Sequence, residues 1–174
     1  MNAIELLVHQ HQEVSGLFEK AEATEDGRTR RSLFDALAAR LAAHDAIERE
    51  IFYPACKAAL GKENEELGES LVEHGVVELL IHKGATADAD DLPHCLKVLK
   101  DVVEHHVEEE QDELFPKVKK AISAEELLAL GEEMEQRFGE AMETDYREAV
   151  RKSLMQVVGG AIETEAQTPD ERVA

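Results

Sequence analysis

Apolar residues recur through most of this chain at spacings of three and four, the signature of helices with one buried face. Ile4, Leu7, Val8, His11, Val14 and Phe18 predict a first helix over about 3–24, closed by the turn Thr24-Glu25-Asp26-Gly27. Leu33, Leu37, Leu41, His44, Glu48 and Ile51 share one side of a second helix, whose end Pro54 disturbs. After a break at Gly61 to Asn64, Leu67, Leu71, His74, Val77, Glu78 and Ile81 align on a third helix over about 65–87. The acidic stretch from Ala85 to Asp91 is a loop, and Asp91 caps a fourth helix with Pro93 in its first turn. Its stripe is Leu96, Leu99, Val103, His106, Glu110 and Leu114, ending near Pro116. Ser123 and Glu126 form a capping box for a fifth helix over about 124–142.

From Thr144 onward, Tyr146, Val150, Leu154 and Val157 form one amphipathic piece, followed by a break at Gly159-Gly160. Beyond Ala161 the composition is polar, which predicts a disordered tail. The fold class expected is all-α: an up-down-up-down four-helix bundle with an additional C-terminal helix and tail. Residues 1–143 make the bundle and fifth helix, and 144–174 a helical extension and tail; the fifth helix and tail are expected to cover the bundle or meet a second subunit in a homodimer.

Composition narrows the function classes. At 174 residues with 43% hydrophobic positions, the chain supports one domain with a real core. A formal net charge of −20 excludes nucleic acid and anionic membrane surfaces as partners. Cys56 and Cys95 fit no metal or disulfide spacing, no signal peptide opens the chain, and no apolar run reaches the roughly 20 residues of a membrane span. A cytoplasmic address is expected.

The chemistry lies in a repeat. His44-x3-Glu48 leads to Phe52-Tyr53-Pro54, and His106-x3-Glu110 leads to Leu114-Phe115-Pro116. In both, Glu follows His by four and Pro follows His by ten. His11 and His74 occupy matching places on the preceding helices, so two helix pairs, offset by 62 or 63 residues, each supply His and then His-x3-Glu. Residues four apart stand about 6 Å apart along a helix on nearly one face, so both side chains turn into the bundle together. One His-x3-Glu in an acidic chain is an ordinary surface pair. All six residues here fall on apolar stripes, where an unpaired charge is costly and a metal satisfies it. Mixed imidazole and carboxylate point to iron, with manganese or zinc as competitors. His105 also precedes a Glu by four, Glu109; the distance to Pro116 selects His106 and Glu110 instead. His9, His82 and His94 lie outside the repeat.

The order and spacing of these motifs over about residues 3–120 resemble the hemerythrin-like (HHE cation-binding) family, in its bacterial type. The resemblance implies a four-helix bundle whose His11, His44, Glu48, His74, His106 and Glu110 bind two iron ions, an oxo- or hydroxo-bridged non-haem pair with both Glu bridging. Oxygen-carrying members have His-x3-His on the third helix, where this chain has His74-x3-Glu78, and His-x4-Asp on the fourth, where it has His106-x3-Glu110. The added carboxylate favours ferric iron and turns the expectation away from reversible oxygen carriage. Three further residues are candidate ligands. Glu78 replaces the missing His, with a simple exposed acid as the other reading. Asp45 adjoins His44. Tyr53 offers a phenolate, against a core tyrosine with a buried hydroxyl hydrogen bond.

Three functions remain open on the sequence. The first is a di-iron protein that reacts with or senses oxygen, peroxide or nitric oxide, including catalase-like peroxide decomposition. The second is oxygen or iron binding without turnover, and the third a metal-stabilised interaction module. No separate catalytic residue and no other cofactor is indicated.

Overall fold

The computed structural model describes residues 1–61 and 64–166, with backbone alone for 157–166. Eight α-helices follow one another, with no strand among the described residues: α1 (Ala3–Ala23), α2 (Gly27–Ile47), α3 (Tyr53–Leu60), α4 (Glu65–Thr86), α5 (Leu92–Glu109), α6 (Phe115–Ala121), α7 (Ala124–Met142) and α8 (Tyr146–Ala166). The first four long helices pack α1 on α2, α2 on α4, α4 on α5 and α5 on α1, a closed up-down-up-down square. Local signals explain the boundaries. Asn2 and Glu5 form a capping box for α1, Asp26 caps α2 through the Thr29 amide, and Asn64 caps α4 through that of Leu67. Asp91 stands at the start of α5, but its side chain caps nothing; the Asp88 carboxylate instead accepts the amides of Asp90 and Asp91.

Pro54 and Pro116 do not end their helices. In each case one π-helical turn, Glu48–Phe52 or Glu110–Leu114, carries the chain on into α3 or α6. A proline has no N–H, and its ring collides with the carbonyl four residues back in a regular α-helix. The wider turn resolves both conflicts: the Tyr53 amide donates to the Glu48 carbonyl, and the Phe115 amide to that of Glu110, five residues back. The Gly159-Gly160 break is likewise absent, since α8 continues to Ala166. Each glycine weakens a helix by about 1 kcal/mol relative to Ala, a cost but not a stop. The disordered tail expected beyond Ala161 is helical as far as Ala166, and residues 167–174 lie outside the described residues.

The core has two apolar halves. One gathers Ile4, Leu7, Ile47, Phe52, Leu114, Phe115 and Val118, closed from outside by Leu127 and Met134 of α7. The other gathers Val14, Phe18, Phe34, Leu37, Ile81, Leu99 and Val103, closed by Tyr146 and Val150 of α8. The Tyr146 hydroxyl and Arg147 both donate to Asp35 of α2, fastening α8 to the bundle. Near the second half α4 approaches α2 closely. A Cβ on Gly84 would lie 2.5 Å from the Phe34 ring, and Arg31 donates to the carbonyls of Gly84 and Ala87.

This close approach gives a test. Gly84→Val forces a fully buried ring aside and is expected to destabilise the chain by about 2–3 kcal/mol, the cost of overpacking. Gly16→Ala on α1, where an added Cβ meets nothing within 4 Å, is expected to stabilise by up to about 1 kcal/mol. Urea midpoints of the two variants should move in opposite directions.

Candidate metal centre

Between the two apolar halves lies a layer of side chains able to carry charge. His11 of α1, His44 of α2, His74 of α4 and His106 of α5 each turn inward and are buried, as are Glu48 and Glu110, the first residues of the two π-helical turns. The rings meet in pairs. Nε2 of His11 stands 3.2 Å from Nε2 of His44, and Nε2 of His74 stands 3.1 Å from Nε2 of His106. The carboxylates join the pairs: Oε2 of Glu48 lies 3.2 Å from His44 and 3.3 Å from His74. Oε2 of Glu110 lies 3.5 Å from His11 and 3.7 Å from His106. Two groups of donors result, one of His11, His44, Glu48 and Glu110, the other of Glu48, His74 and His106, with Glu48 common to both.

The ring nitrogens facing away from the centre are held from behind. Nδ1 of His44 donates to Oε1 of Gln10 (2.7 Å), Nδ1 of His106 to Oε2 of Glu73 (2.9 Å), and Nδ1 of His74 to Oδ1 of Asp45. A neutral imidazole that gives its one proton outward leaves its Nε2 bare. His74 and His106 therefore present two lone pairs to one another at contact distance. Nδ1 of His11, Oε1 of Glu48 and Oε2 of Glu110 are buried with no hydrogen-bond partner.

Electrostatics sharpens the conflict. Burial, and then the neighbouring imidazoles, hold His11 down at about 2. Burial likewise lowers His44, His74 and His106. Glu110 is pushed up to about 8 by burial and by the charge of Glu48, and Glu48 is raised well above the carboxylate range, again mainly by burial. Neither sign of charge is stable here on its own, and a dication reverses both trends at once. Bare nitrogens, orphaned carboxylate oxygens and a mixed nitrogen-oxygen donor set thus fit metal ions.

Tyr53, at the head of α3, joins this layer. Its hydroxyl lies 3.0 Å from Nε2 of His74 and 3.1 Å from Oε1 of Glu110, and burial raises it well above its ordinary value. The matching place in the other repeat holds Phe115, whose ring stacks on His11 at 6.1 Å. The opposite side is apolar. Val14, Leu41, Val77, Val103 and Val107, with Asp45 at its edge, line a cavity of about 30 Å³ against the four imidazoles.

Asp45 and Glu78 are not brought to the centre. Asp45 sits behind His74, where burial, which pushes its carboxyl up, is outweighed by hydrogen bonds from His74 and from Nε of Arg49 at 2.5 Å. Glu78 is buried rather than exposed, beyond Arg49, with 3.8 Å between Oε2 and Nη2 of that arginine. The register at the doubled histidine is plain: the His106 side chain is 6% exposed and that of His105 61%, the latter beside Glu109 and Glu73 on the surface. Cys56 and Cys95 are buried free thiols. Gln10 and Glu73 are the residues that sequence reasoning missed. Each immediately precedes an inward histidine, a position that points off the apolar stripe and toward the next helix.

No helix among the described residues is long and apolar enough to cross a membrane. The family model for the hemerythrin HHE cation-binding domain matches residues 2–118. Among solved structures, the chain is similar to a hemerythrin HHE cation-binding domain-containing protein from Mycobacterium kansasii. The two are 27% identical with a TM-score of 0.74, over 88% of this chain and 99% of that one. No match was found among curated proteins. With its matched residues spanning all six inward donors, the chain belongs to the hemerythrin HHE cation-binding family.

Proposed function

We propose that His11, His44, Glu48, His74, His106 and Glu110 hold two iron ions, and that this pair reacts with small oxidants: oxygen, peroxide or nitric oxide. The observation that carries the reading is the pairing of this donor layer with a small apolar cavity beside it. About 30 Å³ is the room that one or two water-sized molecules need. Iron in such a place supplies one-electron steps to a small ligand. The chain's own residues do the rest. Glu48 and Glu110, each within reach of a histidine from both repeats, span the two positions. Five apolar side chains line the cavity beside the donors. Tyr53 adds a phenol oxygen beside His74 and Glu110, and we assign it as a further ligand. Decomposition of peroxide is the activity this arrangement supports best.

Purified protein is expected to carry two irons per chain with near-ultraviolet charge-transfer bands, and to evolve oxygen steadily from added peroxide. A single zinc would sink the iron reading. Reversible spectra under oxygen and vacuum, without oxygen evolution from peroxide, would replace turnover by binding. Tyr53→Phe is expected to abolish a visible absorption band while leaving most of the iron in place; an unchanged spectrum would return Tyr53 to the role of hydrogen-bond donor.

Metal binding should also move protons. In the metal-free chain at pH 7, Glu110, at about 8, is mostly protonated, and Glu48 is raised well above its ordinary value. Glu110, Glu48 and Tyr53 must each be ionised to bind a cation, so at least the Glu110 proton is expected to leave as the centre fills. The number should fall as pH rises through the Glu110 value. Calorimetry of anaerobic ferrous binding in buffers of different ionisation heat measures it; proton release independent of pH between 6 and about 9 would contradict this picture.

A further inference from the structure

The groups behind the four histidines follow a rule around the bundle. Gln10, one residue before His11, backs His44 on the next helix. Asp45, one residue after His44, backs His74. Glu73, one residue before His74, backs His106. The step alternates between minus one and plus one because neighbouring helices run in opposite directions, so the residue that leans toward the next helix changes sides. The fourth place in the ring is one residue after His106, facing His11. It is Val107, and it lines the apolar cavity together with His11. A valine accepts no hydrogen bond, and Nδ1 of His11 is the ring nitrogen left buried without a partner.

The two halves of the centre are therefore unequal. His74 and His106 both donate to carboxylates, Asp45 itself held by Arg49 and Arg49 in turn facing Glu78. Carboxylate backing fixes the tautomer that leaves Nε2 bare and makes the imidazole a stronger donor. His44 has only a neutral amide behind it, and His11 has nothing. A metal ion bound to His11 through Nε2 leaves a buried N–H unsatisfied, which opposes its binding.

We propose that this open ring makes the two metal positions sequential: the His74–His106 position fills first and tightly, and the His11–His44 position fills second and exchanges readily, with Val107 setting the difference. The inference rests on the di-iron reading above. Asp45, Glu73 and Val107 act through the histidines, and Asp45 and Glu73 are positioning residues.

The test is calorimetric titration of the full-length metal-free chain with ferrous iron under anaerobic conditions. Two steps separated by at least about tenfold in affinity are expected. Glu73→Gln should weaken the first step by about 10–100-fold, the range for loss of such a backing group, and leave the second nearly unchanged. His11→Gln should remove the second step and keep the first. Val107→Asp, which closes the ring, should tighten the second step and narrow the gap. Two indistinguishable steps in the wild-type chain, or a Glu73→Gln effect confined to the weaker step, would overturn the proposal while leaving two irons in place. Failure to take up two equivalents at all would instead overturn the di-iron reading. Should Val107→Asp not fold, as circular dichroism would show, Glu73→Gln and His11→Gln still decide the matter.

Discussion

Everything in this bundle is arranged around six side chains that cannot keep a charge where they stand. Four imidazoles are held neutral by burial and two carboxyls are pushed toward protonation, in two close groups that share Glu48. Among the described residues no lysine or arginine enters the layer; Arg49 stops behind Asp45. Such a layer is a penalty in an otherwise apolar core unless a cation resolves it, because each unpartnered buried polar atom costs about 1–3 kcal/mol. The halves on either side are closed by different helices, α7 over one and α8 over the other. The helices beyond the square thus seal the apolar flanks on which the polar layer depends.

The π-helical turns connect that layer to the sequence. Each opens on the inward Glu and closes just before the proline, so the six-residue interval from Glu to Pro is one local device seen twice. The proline removes a hydrogen bond that a regular helix would use, the helix widens, and the Glu at the start of the widening lies fully within the core. The interval was visible as a repeat, but its mechanism was not. Proline reads as a stop because most helices do end near it, and only the carbonyl geometry five residues back shows the helix passing through.

The same distinction runs through the site. The four histidines and two glutamates were legible because burial imposes a stripe, and a stripe has a period. His106 separates from His105 for that reason, one turned into the core and its neighbour into solvent. Asp45 and Glu78 looked like ligands because adjacency and substitution suggest roles but carry no direction. In three dimensions Asp45 meets the outer nitrogen of His74, and Glu78 faces Arg49. Leu71 shows the limit of periodicity on the apolar side as well: it stands in the α4 stripe by spacing yet is largely exposed, since four residues on from Leu67 overshoots the buried face.

Backing groups were missed for a geometric reason. A residue adjacent to an inward histidine points about 100° away, so it belongs to neither the apolar stripe nor the exposed face and has no period of its own. Its meaning appears only when the helices are set side by side with alternating direction. The rule is then strict enough that the one exception stands out: three polar neighbours and one valine. A symmetric pair of repeats would give two equivalent metal positions. Every difference between them must come from places where the repeats disagree, and three such places touch the centre: Tyr53 against Phe115, Asp45 against Val107, and Glu73 against Gln10. The first two put the oxygen donor on the His74 side and a hydrocarbon on the His11 side, and the third puts a carboxylate behind His106 and a neutral amide behind His44. Three independent substitutions acting in the same direction make the inequality a property of the site as a whole.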